Sequence, residues 1–236
     1  MPFASLAHLM TWLDLAAVSL VIVSWFAVGW RIEHPGMARP SVTILMGRYR
    51  REWMRQMVER DVRIFDSQIL TGLRQGTAFL ASTSLLAIGG VLALIGNPAP
   101  LAGAAEGLTM RDDPAALWQM RLMLPAAFLL VAFLKFVWSH RVFGYCAVMI
   151  ASVPNDPSDP AASVRAEMAA DLNIRAATNY NRGLRAMYFA LAGLTWLIGP
   201  EALIAGVLAA VWLVWSREFA SQPREIVLRE DNAENE

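Results

Sequence analysis

Residues 41–95 decide the fold and read SVTILMGRYRREWMRQMVERDVRIFDSQILTGLRQGTAFLASTSLLAIGGVLALI. The first part is dense in arginine and has no proline, whereas the last part is apolar and uncharged. In the first part apolar side chains recur at spacings of three and four, which is the period of one helix face. The stretch therefore predicts an amphipathic helix, 41–76, that continues almost without a break into a membrane span, 77–95.

The composition of the 236-residue chain is typical of a membrane protein. Hydrophobic residues make up 56% and charged residues 17%, whereas soluble domains have about 45–50% apolar and about 25% charged residues. Basic and acidic residues number 20 each, and we expect no nucleic-acid partner. The single cysteine, Cys146, excludes an intramolecular disulfide and a CxxC-type metal site.

Apolar runs elsewhere predict further spans. At 1.5 Å per residue, a run of about 19 residues is roughly 28 Å long, close to the hydrocarbon thickness of a bilayer. Gly199-Pro200 is typical of one helix ending and another beginning, so residues 186–215 form either a tight hairpin, which we favour, or a single crossing. The predicted spans are 12–30, 77–95, 122–139, 184–198 and 201–216.

The predicted fold class is all-α, a polytopic helical membrane protein with long cytoplasmic helical extensions. The two extensions are 41–76 and 161–185, the second with Asp159 or Ser163 as its N-cap. Apolar character continues past the third span to residue 153, so we expect that helix to project and pack against the arginine-rich helix. The tail, 217–236, has mixed charge and a tip expected to be disordered.

Arginine counts predict the orientation. Residues 31–76 hold nine arginines and residues 140–185 hold five, against two in 96–121. Because basic residues concentrate in cytoplasmic loops, we expect the two rich segments on the cytoplasmic side of a bacterial inner (plasma) membrane. The N-terminus is then outside, and a hairpin returns the tail to the cytoplasm. A single crossing would leave the tail outside.

The densest cationic cluster precedes the second span by a few turns and consists of Arg48, Arg50, Arg51 and Arg55. One interpretation is a contact for anionic lipid headgroups, where each basic residue contributes about 1 kcal/mol. The other, which we favour, is a topology signal whose arginines pair along the helix with Glu52 and Glu59. The two interpretations are compatible.

Two further features are candidates for function. Lys135 lies inside an apolar segment, where a lysine costs roughly 2.5–3.5 kcal/mol; we favour snorkelling or an internal ion pair over a transport role. Polar side chains of the two extensions are also candidates for a pocket at the cytoplasmic interface, although we favour the interpretation that the asparagines cap and anchor helix ends. The pocket residues are Asp61, Arg63, Asp66, Asn179, Asn181 and Arg182.

The sequence contains no pattern typical of a catalytic or cofactor site. It has no GxSxG, HExxH or P-loop motif, and no close set of zinc ligands. His34 and His140 are poor haem ligands, since His34 precedes a proline in a predicted turn. We therefore expect no enzymatic activity, no catalytic residues, no cofactor and no metal.

Four separated blocks resemble the family catalogued as domain of unknown function 599. The first is YRREWMRQMVERDVRIFDSQILTGLRQGTAFLASTSLLAIGG, and the others, in order, are KFVWSHRVFGYCAVMIASVP, NRGLRAMYFALAGLTWLIGPEALIAG and WSREFAS. The resemblance implies a small multi-pass membrane protein with no agreed activity, and it transfers no catalytic residues.

The sequence favours a non-enzymatic structural or accessory protein that acts through its cytoplasmic helices. We expect this protein to contact the lipid bilayer, including anionic headgroups, and either a protein partner or a second copy of itself. The alternative is a small transporter or channel that uses Lys135. A lipid-modifying enzyme has the least support, because no acid, base and nucleophile converge.

Overall fold

The structure is a computed structural model that describes residues 10–34, 39–100 and 114–233. All regular elements in these ranges are helical, which confirms the predicted all-α class. The α-helices are α1 (Trp12–Glu33), α2 (Val42–Val58), α3 (Ile64–Gly96), α4 (Ala115–Ala151), α5 (Pro160–Leu194), α6 (Pro200–Phe219) and α7 (Gln222–Ala233), with a 3₁₀ turn at Thr195–Leu197.

Four stretches of the described chain are long and apolar enough to cross a membrane: Trp12–Glu33, Ile64–Gly96, Ala115–Ala151 and Pro200–Arg229. The chain is therefore a multi-pass membrane protein. These stretches contain four of the five predicted spans. The other, 184–198, covers the end of α5 and the 3₁₀ turn, where Arg185 shortens the apolar run. A fifth crossing stays a prediction.

The prediction of a single helix over residues 41–76 is wrong. Helix α2 ends at Val58, and α3 begins at Ile64 and continues without interruption to Gly96. The chain turns at 59–63 because Asp66, in the first turn of α3, bonds to the side chains of Trp53 and Arg60. These contacts bring the start of α3 back to α2. The spacing of apolar residues does not reveal them.

The other helix predictions agree better with the structure. Helix α4 joins the third span and its extension in one element, Ala115–Ala151. Helix α5 begins at Pro160, and Asp159 accepts a hydrogen bond from the Ala161 amide at 2.8 Å. Proline at the first helical position after an aspartate cap is a favourable start. Gly199, with φ 154°, separates the 3₁₀ turn from α6 as expected.

The chain divides into two compact units. Unit 1 comprises the described residues of Met1–Arg31, Thr83–Ala132 and Leu184–Ser216. In its core, the Trp25 ring centroid lies 5.3 Å from those of Phe128 and Phe189 in edge-to-face geometry. Such contacts contribute about 0.5–1.5 kcal/mol beyond the burial of apolar area.

Asp14 has a structural role at the start of α1. Its carboxylate accepts hydrogen bonds from the Thr11 amide at 3.0 Å and from the Thr11 hydroxyl at 2.6 Å, while its own amide donates to that hydroxyl. This reciprocal arrangement is a capping box. The indole of Trp196 donates to the other carboxylate oxygen at 2.7 Å. An acid in an apolar helix is thereby satisfied inside unit 1.

Unit 2 comprises the described residues of Ile32–Ser82, Phe133–Gly183 and Arg217–Glu236. Its hydrophobic core is continuous and includes Met54, Met57, Leu70, Phe143 and Ile150. The apolar residues at the end of α2 and the start of α3 therefore pack against the end of α4, as expected, and also against the start of α5.

The tail is an ordered part of unit 2. Helix α7 lies beside α2, where the Tyr49 hydroxyl donates to the Val227 carbonyl at 3.2 Å and Arg224 donates to the Pro40 carbonyl at 3.2 Å. The Glu218 carboxylate accepts hydrogen bonds from the amide and the hydroxyl of Thr43. The expected disordered tip lies outside the described residues.

Candidate functional site

A buried carboxylate fixes the turn between α2 and α3. Asp66 has an exposed fraction of 0%, accepts a hydrogen bond from the Trp53 indole at 2.6 Å and pairs with Arg60. Its second oxygen is buried without a partner in the described structure. Because an ionised carboxylate is costly to bury, the site is stable only while both donors are in place.

Arg63 attaches the same turn to the end of α4. Its two terminal nitrogens donate to the carbonyls of Val153 and Pro154, both at 2.7 Å. Val153 and Pro154 directly follow the end of α4 at Ala151, and a cationic donor suits the negative end of the helix dipole. The backbone of residues 59–66 is thus held on both sides by charged side chains.

Large apolar side chains of this fixed turn and the start of α3 are exposed on the surface of the described structure. Their exposed fractions are 65% for Val62, 63% for Ile64 and 61% for Phe65, and Ile69 one turn later is also exposed. We name Val62, Ile64, Phe65 and Ile69 the α2–α3 patch. Glu59 and Asp61 beside it are exposed and form no ion pair with any described residue. The patch is therefore apolar with an acidic edge.

The structure does not form the predicted six-residue polar pocket. Asp61, Arg63 and Asp66 belong to the α2–α3 turn. On α5, Asn179 donates to the Arg175 carbonyl and Asn181 to the Thr43 hydroxyl, while Arg182 pairs with Glu33. No hydrogen bond or ion pair joins the two groups within the described ranges. The six residues form no common pocket because they lie at opposite ends of α2. Asn181 of the α5 group contacts Thr43 at the start of α2, whereas the group of the α2–α3 turn follows the end of α2, about 25 Å away along the helix.

The four predicted lipid-contact arginines point to different partners. Arg48 lies over the Tyr49 ring at 5.2 Å, Arg51 pairs with Asp171 at 3.4 Å, and Arg55 pairs with Glu52 at 3.4 Å. The last pair agrees with the favoured interpretation of helix-surface ion pairs. Contact with lipid headgroups stays a prediction.

Arg50 faces inward and was not singled out from its neighbours by the sequence. Its guanidinium donates to the Asn173 side-chain carbonyl, and the Asn173 amide contacts the Cys146 sulfur at 3.7 Å. Burial lowers the pKa of Arg50 from its ordinary value. It lines two cavities of about 280 and 250 Å³. The sequence signal for this contact was the polar residue Asn173 on α5, whose side chain accepts from Arg50.

Lys135 is half-buried on α4 and forms no hydrogen bond or ion pair with the residues that the structure describes. The structure therefore does not supply the internal ion pair considered from the sequence. Among the described residues there is also no group of three or more histidine, cysteine or acidic side chains that could hold a metal ion.

The helices define a multi-pass, all-α membrane protein. The chain belongs to the family "Protein of unknown function, DUF599", whose model matches residues 16–223. No curated protein and no solved structure matches the chain.

Proposed function

We propose that this protein is a non-enzymatic accessory protein of the bacterial inner membrane that docks a partner protein at its α2–α3 patch. The observation that carries the proposal is the exposure of three large apolar side chains, Val62, Ile64 and Phe65, on a backbone held by Asp66 and Arg63. Contiguous exposed apolar side chains with a polar edge are typical of interaction sites.

The rigidity of the turn supports a docking role. Association loses free energy when loops and side chains are ordered at an interface, and a pre-ordered surface reduces that loss. The contacts of Asp66 and Arg63 order the patch before any partner arrives. A loop that only connected two helices would not require a buried carboxylate and two charged attachments.

The charge at the edge of the patch indicates the chemistry of the partner. Glu59 and Asp61 are exposed acids without an ion pair in the described structure. A partner with an apolar pocket bordered by lysine or arginine would cover the patch and pair with both carboxylates. Complementary charges of this kind raise the association rate and select the partner.

Arginine counts support a cytoplasmic position for the patch. Residues 31–76, which contain it, hold nine arginines, and residues 96–121 hold two. The positive-inside rule then puts residues 31–76 and the packed tail in the cytoplasm and the N-terminus outside. A partner would be a cytoplasmic protein or the cytoplasmic part of another membrane protein.

Photo-cross-linking in native membranes tests the proposal. A benzophenone amino acid replaces Phe65 in one variant and Phe79 in a control, because both phenylalanines are exposed on α3 and Phe79 lies in the apolar span. We expect a discrete adduct with another protein at position 65 and none of the same mass at position 79. An adduct with a second copy, with lipid only, or the same pattern at both positions would contradict the proposal.

A second candidate is a small transporter or channel. It is favoured by Lys135, a half-buried cation on a span helix without a hydrogen bond or ion pair among the described residues. Ionisable residues inside membrane segments often mark substrate or proton paths. The corresponding flux measurement is given with the predictions below.

A further inference from the structure

A cavity of about 300 Å³ lies between the first turns of α3 and the last turns of α4. Its polar lining residues are Arg63, Ser67, Thr71, Arg74 and Asn155. None of its nine lining residues is acidic. The cavity therefore carries two positive charges with no carboxylate in its wall.

Neither arginine is fully used by the protein. Arg63 donates from its terminal nitrogens to two carbonyls, but its Nε is buried without an acceptor. The Arg74 side chain has no acceptor among the described residues, and its Nε is also buried. A buried charged donor without an acceptor is unfavourable. An anion in the cavity would supply hydrogen-bond acceptors and a negative charge for both side chains.

A second cavity is also lined by two arginines, but it contains acidic residues as well. Arg51 and Arg55 line a cavity of about 250 Å³, but Glu167 and Asp171 line it as well, and Asp171 pairs with Arg51. The charges of that cavity are balanced by the protein itself. It therefore provides a control site within the same unit.

We propose that the cavity lined by Arg63 and Arg74 binds a phosphate group, carried by an anionic lipid headgroup or by a small soluble phosphate ester. Arginine matches phosphate oxygens with two parallel hydrogen bonds, and a phosphate monoester carries a charge of about −1.5 to −2. Leu70, Ala147 and Ile150 form an apolar wall that suits the carbon skeleton of such a ligand.

The position of the cavity is compatible with both sources of phosphate. Arg74 lies three residues before the predicted span 77–95, which is about one helical turn from the headgroup level. Arg63 and Asn155 lie outside the predicted spans, a position that suits a soluble ester. This proposal is independent of partner docking, because it concerns the side chains between α3 and α4 and not the exposed α2–α3 patch.

The test uses the full-length protein in non-ionic detergent, with thermal unfolding followed during a titration with inorganic phosphate. Chloride at equal ionic strength is the salt control. In a second arm, the protein is placed in nanodiscs of phosphatidylcholine alone or with phosphatidic acid. We expect a phosphate-bearing probe to stabilise the native protein. Arg74→Gln should raise the phosphate concentration that gives half of the stabilisation by about tenfold to a hundredfold. In the titration with inorganic phosphate, Arg55→Gln should leave this concentration unchanged.

The two arms separate the sources. Stabilisation by inorganic phosphate in detergent indicates a soluble ester, whereas stabilisation by phosphatidic acid alone indicates a lipid headgroup. The proposal is overturned if neither probe stabilises the native protein, or if Arg74→Gln responds as the native protein does. If Arg74→Gln does not fold, Ala151→Leu fills the cavity and keeps both charges, and an unchanged response in that variant also overturns the proposal. The Phe65 cross-link should be unaffected by either variant.

Discussion

Trp53 donates its indole N–H to the fully buried carboxylate of Asp66 at 2.6 Å. Arg60, in the turn between the two, pairs with the same oxygen. One carboxylate thus receives a donor from α2 and a donor from the connection, and this determines the direction in which α3 leaves the turn. The exposed apolar side chains of the patch follow from that geometry.

Asp66→Ala is expected to lower the free energy of unfolding by about 2–4 kcal/mol, because it removes one partner of a buried ion pair. The lower part of this range applies if Arg60, whose side chain is 37% exposed, is rehydrated. The measurement is chemical unfolding of the detergent-solubilised protein. Asp61→Ala, at an exposed acid in the same turn, should change stability by no more than about 0.5 kcal/mol. Equal stability of the two variants would contradict the assigned role of Asp66.

Gly183→Ala should destabilise unit 2 by about 1–3 kcal/mol, the usual cost of overpacking. A Cβ at Gly183 would lie 2.6 Å from Cε1 of Phe136, whose side chain is fully buried and packs against the Tyr180 ring. Thermal unfolding gives the effect, and Phe136→Leu in the same chain should restore part of the loss.

Gly72→Ala is the matched control for this prediction. Gly72 is also in a helix, and a Cβ there would meet nothing within 4 Å. Alanine is favoured over glycine inside a helix by about 1 kcal/mol, so this variant should be as stable as the native protein or more stable. Destabilisation of similar size at both glycines would mean that close packing on Phe136 is not the cause.

The parts of the fold that depend on periodicity and composition were predictable. The apolar lengths of α1, α3, α4 and α6 predicted the spans, and the Asp159 cap and Gly199-Pro200 break predicted helix boundaries. The break at 59–63 was not predictable, because it depends on Asp66 reaching Trp53 and Arg60 in three dimensions. Periodicity continues across that turn and favours one helix.

The candidate site was predictable only in composition. Asp61, Arg63 and Asp66 were singled out, but their partners are residues of α2, of the turn itself and of the end of α4. The exposure of Val62 and Phe65 depends on packing, which the spacing of apolar residues does not specify. Arg50 and Arg51 are adjacent in sequence, but Arg50 faces inward to Asn173 and Arg51 is exposed beside Asp171. This difference also depends on packing.

Acid should weaken the connection between α4 and α5. Asp156 accepts hydrogen bonds from the amide of Ser158 at 2.9 Å and from its hydroxyl at 2.7 Å, and these bonds lower the pKa of Asp156. A lowered folded-state pKa means that the stabilisation is present above the ordinary value of about 3.9 and is lost as the pH falls through the folded-state pKa. The stability difference between the native protein and Asp156→Asn should therefore shrink below about pH 4. A difference that does not change with pH would exclude this role.

Lys135→Met separates the docking function from the transport alternative. A charged lysine inside a span costs roughly 2.5–3.5 kcal/mol on insertion scales, and Lys135 receives no compensating ion pair from the described residues. If the protein is a docking protein, the substitution should leave the Phe65 cross-link and all measured ion fluxes in proteoliposomes unchanged and should raise thermal stability. Lys135→Arg is the control that keeps the charge. Loss of a flux in Lys135→Met but not in Lys135→Arg would favour the transporter, because only a cation at this position would then support movement of the substrate.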